Sequence, residues 1–229
     1  MDLWANRVWH MQTVIKGNQA FRYLEVELAP GESITAEAGA MASMDAALDL
    51  RATFNGGLLA GLARKFLGSE SLFINHFTNH SSAPKKLTLT TQHPGDVCEV
   101  KLENSAINLE SGAYVCSTEG VQLRLRWAGL ASFLAREGLF KLVAAGTGSV
   151  WFGGYGAFIK KDLQGEHIID SGHLVAYDPG IRLKTQLSSG VVGSMLSGEG
   201  LVTRLEGSGS FWLQTRSLSG LADWVNPRF

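Results

Sequence analysis

The sequence predicts an all-β protein made of three tandem modules, and three observations point there. Glycine is abundant at 27 residues while proline is scarce at 5, a balance that suits many tight turns between short strands. Stretches such as Val121–Trp127 alternate, with Val121, Leu123, Leu125 and Trp127 on one face and Gln122, Arg124 and Arg126 on the other. That is the period of a half-buried strand. Three short motifs also recur in a fixed order along the chain, and self-similarity that keeps its order marks a repeated unit.

The first motif is a small turn running into an alternating strand. It reads "APGESITAEAGAMASMD" from Ala29, "HPGDVCEVKL" from His93 and "LQGEHIIDSGHLVAYD" from Leu163. Gly31, Gly95 and Gly165 each precede an acid, namely Glu32, Asp96 and Glu166, which can meet free backbone N–H groups in the turn. The second motif follows at Gly39, Gly112 and Gly172. The third is "GTGSVWF" at Gly146 and "GSGSFWL" at Gly207, with "GSESLFI" at Gly68 as an eroded first copy. Gly112 and Gly172 lie 60 residues apart, and Gly148 and Gly209 lie 61 apart. The paired glycines are expected to serve turns, with Trp151 and Trp212 at matched packing positions.

Between the second and third motifs each copy carries a strand pattern and then a helical patch. The patches are "GGLLAGLARKFLG", "AGLASFLAREGLF" and "GVVGSMLSGEGLV". Leu58, Leu59, Leu62 and Phe66 can share one helix face in the first, as can Leu130, Phe133 and Leu134 in the second. The expected modules are 1–84, 85–158 and 159–229, packed as one unit with a short helical excursion each.

The motifs from about Phe21 to Ser217 resemble the altered-inheritance-of-mitochondria family. They are "LAPGESITAEAGAMASMD", "GGLLAGLARKFLGSESLFIN", "HIIDSGHLVAYDPGI", "GEGLVTRLEGSGSFWLQTRS" and the "PGD" turn. The resemblance implies a fold like that of the tryptophan RNA-binding attenuation protein, a shortened double-stranded β-helix present three times. It also implies side-by-side assembly, a trimer of three-module chains giving a pseudo-ninefold ring. It supplies no enzymatic activity, and it suggests scaffolding near membranes.

Composition narrows the function classes. With 229 residues, 45% hydrophobic and 18% charged, the chain can fold around a substantial core. Its 20 basic and 21 acidic side chains leave a net charge of −1, which gives no bulk field for nucleic acid or anionic lipid. Cys98 and Cys116 form neither a metal spacing nor a disulfide framework and read as buried thiols. The stretch "MDLWANRVWHMQTVIKG" lacks the layout of a secretory signal. Leu142–Ile159 is uncharged over 18 residues, but its five glycines make it a poor transmembrane span. The expected location is cytoplasmic, with peripheral membrane contact as a variant.

No catalytic motif emerges. Gly56 and Gly61 have P-loop spacing, but Leu62 stands where the lysine must reach phosphate. There is no G-x-S-x-G elbow. For a metal, His76 and His80 on one strand would be about 13 Å apart, too far for a single ion. His167 and His173, facing each other across a turn at Gly172, are the weak metal candidates. No cofactor is expected. The basic pairs Arg64–Lys65, Lys85–Lys86, Arg124/Arg126 and Lys160–Lys161 fall at unequal places in the modules, which argues against RNA. The surface-docking candidates are Leu58, Leu59, Leu62, Arg64, Lys65 and Phe66, an apolar face with two cations suited to a membrane surface or a protein partner. The expected function is therefore a non-enzymatic scaffold forming a ring-like homo-oligomer. The alternative is a small-ligand or RNA-binding module that uses the interfaces between modules.

Overall fold

The computed structural model describes residues 10–54, 73–127, 140–187 and 201–226. The described residues are mostly β, as the alternation predicts. The strands are β1 (Gln12–Lys16), β2 (Tyr23–Leu28), β3 (Ser33–Glu37), β4 (Met41–Met44), β5 (Leu48–Phe54), β6 (Phe73–Asn79), β7 (Lys85–Thr90) and β8 (Gly95–Leu109). They continue with β9 (Tyr114–Thr118), β10 (Val121–Trp127), β11 (Phe140–Tyr155), β12 (Phe158–Asp170), β13 (Leu174–Tyr177), β14 (Ile181–Leu187) and β15 (Leu201–Gln214). A four-stranded sheet has the order β1-β2-β7-β4, and a larger one runs β12-β15-β13-β8-β11-β9-β3-β6-β5, with β10 on β11 and β14 on β15.

Side-chain alternation sets the faces. In β2, Leu24, Val26 and Leu28 are buried between the half-exposed Tyr23, Glu25 and Glu27, and β3 buries Ile34 and Ala36 in the same way. The pairing itself recurs along the chain. Long strand β8 lies against β11, whose first half also pairs β10 and whose second half pairs β9. From Phe158 to Gln214 the same order returns, with β12 against β15 and with β14 and β13 on the two halves of β15. Near the N-terminus both long strands are broken: β2 and β3 stand for the first, β6 and β7 for the last. There β2 and β4 pair β7, while β3 and β5 pair β6.

One local bond marks the correspondence. The Asp45 carboxylate accepts the backbone N–H of Lys86 at 2.8 Å, the Thr118 hydroxyl accepts that of Ser149 at 3.0 Å, and the Asp178 carboxylate accepts that of Ser210 at 2.7 Å. Each occupies the point where the short strand leaves its long partner, so a side-chain oxygen replaces the missing ladder acceptor.

The paired glycines are not turn residues, which corrects the sequence reading. Gly146, Gly148, Gly207 and Gly209 lie in the middle of β11 and β15, with φ from +123° to +148°. There the long strand changes partner: Gly146 is opposite Val121 of β10, while Val150 is opposite Ser117 of β9. The tip joining the two short strands presses onto it. A Cβ at Gly146 would sit 2.2 Å from the Gly120 carbonyl oxygen, and one at Gly207 equally close to that of Gly180. Close backbone approach explains the repeat, and the turns lie on the partner hairpins.

The core falls into three clusters. The first draws Leu24, Ile34, Phe77 and Leu89 from β2–β7 and is completed by Val115, Cys116 and Trp151 from β9 and β11. The second surrounds Ile107, Leu109, Leu142 and Phe152 and is completed by Val175, Ala176 and Trp212 from β13 and β15. The third, which includes Leu163, Ile169, Tyr177, Leu205 and Phe211, comes only from β12–β15. One helix, α1 (Leu218–Val225), was not anticipated; Ser217 caps it by accepting the Gly220 N–H. The three helical patches of the sequence reading, and with them Leu58, Leu59, Leu62, Arg64, Lys65 and Phe66, lie outside the described residues except at two ends, where Phe140 already belongs to β11 and Leu201 and Val202 to β15.

Candidate functional site

The most distinctive surface is the end of the large sheet, and it is built from the same parts as two internal seams. At the first seam β9 adds to β3, with Thr35 opposite Ser117 and Ala36 opposite Cys116. At the second β13 adds to β8, with Asn108 opposite Tyr177 and Leu109 opposite Ala176. Each seam also seats an indole. Trp151 lies in the first cluster and Trp212 in the second, the latter edge-on to Phe152 at 5.7 Å between ring centroids.

Strand β12 stands where β3 and β8 stand, and no strand adds to its outer edge among the described residues. Beside that edge lies a groove of about 350 Å³ lined by Ile159, His167, Ile168, Ile169, His173 and Leu213, among others. Its walls match the indole seats position by position. Ile159 pairs Leu213 in the ladder as Cys98 pairs Phe152 and Leu24 pairs Leu89. Ile168 is 54% exposed and Ile159 42%, so this edge presents apolar surface to water.

The two histidines flagged by sequence both line this groove, but each is engaged otherwise. The His173 ring nitrogen Nδ1 lies 2.7 Å from the Gln214 carbonyl oxygen, and Nε2 is 3.9 Å from Asp170. His167 packs against Phe211, with ring centroids 5.7 Å apart. Among the described residues no group of three metal-ligating side chains converges.

Buried titratable groups lie at the seams. Burial pushes the thiols of Cys98 and Cys116 up, away from the thiolate that nucleophilic chemistry needs. Burial likewise raises the Glu37 carboxyl to about 7. Glu110, the residue that follows β8, holds the corresponding place and meets Lys141 at 2.7 Å, whereas Ile74 stands opposite Glu37.

Three matched cations away from the seams were not visible as a set in the sequence. Arg51, Arg124 and Lys184 occupy one matched position on β5, β10 and β14, opposite His76, Val143 and Arg204. Arg51 meets Asp49 at 2.8 Å, Arg124 meets Gln122 at 3.0 Å, and Lys184 meets Glu206 at 2.7 Å. The open edge was also missed. Ile168 in "HIID", at the place of Thr35 and Asn108, reads there as an ordinary strand residue.

Comparison with known proteins adds to this architecture. Residues 13–216 match the family described as mitochondrial biogenesis AIM24. The chain belongs to this AIM24 family. It is similar to an uncharacterized protein of Streptococcus pyogenes serotype M6, 27% identical over 221 residues that cover 93% of this chain and 88% of the relative. It is also similar to a Streptococcus pyogenes protein solved by X-ray crystallography, at 25% identity and a TM-score of 0.78, covering 96% of this chain and all of that one. No helix among the described residues of this AIM24-family chain is long and apolar enough to cross a membrane.

Proposed function

We propose that this AIM24-family protein works by assembly and not by catalysis. In this reading it holds three tandem modules of the shortened double-stranded β-helix kind, running Gln12–Thr90, Gly95–Tyr155 and Phe158–Gln214. Chains join head to tail into a ring-like homo-oligomer, a trimer of nine modules, which serves as a scaffold for a protein partner or a membrane surface.

One observation carries the reading. Each internal seam adds a short strand of the next module to the previous sheet, and the last acceptor, β12, is left open among the described residues. An exposed sheet edge is ordinarily shortened, charged or covered, and a repeated heterologous contact is satisfied when the rotation closes a ring. The small-ligand or RNA alternative is weaker. The internal seams are filled by Trp151 and Trp212, and the matched cations already have partners.

Light scattering on a size-exclusion column tests the assembly. The expected species has three times the chain mass of 24.7 kDa, and Ile168→Asp shifts it toward monomer. A monodisperse wild-type monomer would sink the proposal. The membrane arm is read by liposome flotation, which Leu59→Asp and Phe66→Asp should weaken without loss of the oligomer.

A further inference from the structure

We infer that the open β12 edge takes β4 of a second copy of this chain, in one defined register. This inference rests on the assembly reading above and sharpens it to particular residues.

The donor strand follows from the pairing within each repeat. Cys116 is opposite Trp151, and Ala176 is opposite Trp212. In the first stretch the matching pair is Ser43 opposite Thr88, with Met44 opposite Leu87. So β4 corresponds to β9 and β13, the two strands that cross a seam. Yet among the described residues β4 pairs only β7, and three of its four side chains are exposed where those of β9 and β13 are mostly buried. The described residues therefore hold one unused acceptor and one unused donor of the same kind.

The register follows from both internal seams. Ala36 and Leu109 face Cys116 and Ala176, and each lies three residues before the second-motif glycine, Gly39 or Gly112. Ile169 has that spacing from Gly172. It therefore faces Ser43 of the second copy, and Ile168 faces Met44. A slip by one residue would turn Ile168 away from this partner and leave its apolar surface in water.

Volume complementarity singles out this chain as the occupant. At the internal seams a large indole sits in a cluster with a small wall residue, Ala40 with Trp151 and Ala113 with Trp212. At the open groove the wall position holds His173, and the incoming β7 presents Thr88 where the tryptophans would be. A small residue meets a large one at all three seams, with the sizes reversed at the third. Such reciprocal size matching is what close packing requires.

Disulfide trapping tests the register. Under mild copper-phenanthroline oxidation, Ile168→Cys with Met44→Cys should give covalent multimers on a non-reducing gel, because opposed strand residues fall within disulfide reach. Ile168→Cys with Ala42→Cys should give none. A second measurement swaps the sizes: Thr88→Trp should break the oligomer, and adding His173→Ala should restore it. Both positions are half-buried in the single chain, so circular dichroism checks the fold of each variant, and the cysteine pairs test the register without either change. If wild type is an oligomer and the Ile168→Cys/Met44→Cys pair stays uncrosslinked, the register is wrong while assembly stands. Crosslinking of Ile168→Cys alone would show a symmetric β12–β12 contact and overturn the proposal. A monomeric wild type removes both readings.

Discussion

Strands β13 and β4 hold matched places in the repeat and differ in what covers them. All four residues of β13 are buried, because β15 flanks one edge and β8 the other. In β4 three of four are exposed, with β7 alone beside it among the described residues. The residues follow the environment: Leu-Val-Ala-Tyr inside, Met-Ala-Ser-Met outside. The comparison teaches that burial here is set by position at a seam and not by the local turn–strand motif. The same contrast separates the filled indole seats from the open groove at β12.

Four measurements would break or sharpen that contrast, taken from the largest effect down. Trp151→Ala and Trp212→Ala each empty a seam, and each should cost about 3–5 kcal/mol in denaturant unfolding. A loss below 1 kcal/mol would mean that the seams contribute little. Next come the glycines that face each other across β12 and β15. Gly207→Ala drives a methyl into the Gly180 carbonyl and should cost roughly 2–3 kcal/mol. Gly165→Ala, at φ +99° with open space around it, should cost only about 1 kcal/mol of backbone strain. Equal losses would remove the close-approach explanation.

The third measurement uses pH. Glu37 is raised to about 7 by burial from an unfolded value near 4.5, so between these the native state holds a proton that the unfolded chain releases. The contribution of Glu37 to stability is therefore fully present below about pH 4.5 and is lost as pH rises through about 7, by on the order of 1–3 kcal/mol. Glu37→Gln should flatten the melting temperature over that window, and an unchanged slope would place its source elsewhere. Glu110 differs because Lys141 compensates its charge. The smallest effect is at the open edge. Ile168→Asp should leave the unfolding of the single chain within about 0.5 kcal/mol, since it lies on an exposed edge. A larger loss would mean that the edge is already covered within the chain.

Much of the fold was legible because alternation and repetition are local. The period of β10 and the recurrence of Trp151 and Trp212 gave the strand class and the matched positions. The role of the paired glycines was not legible, since the backbone that presses on Gly146 comes from Gly120, far along the chain. The open edge was invisible for the same reason: Ile168 reads as an ordinary strand residue until β12 is seen to lack a second neighbour among the described residues. His167 and His173 both line one groove, where His167 packs on Phe211 and His173 meets the Gln214 carbonyl.

The sequence by itself determined that this protein is β-rich, repetitive and nearly neutral, because those properties depend on composition and on neighbours a few residues apart. Only the tertiary structure decided which edges pair, where each indole is seated and which glycines tolerate no side chain. Those outcomes depend on contacts between residues far apart in the chain, and no local pattern records which of two similar strands ends buried at a seam.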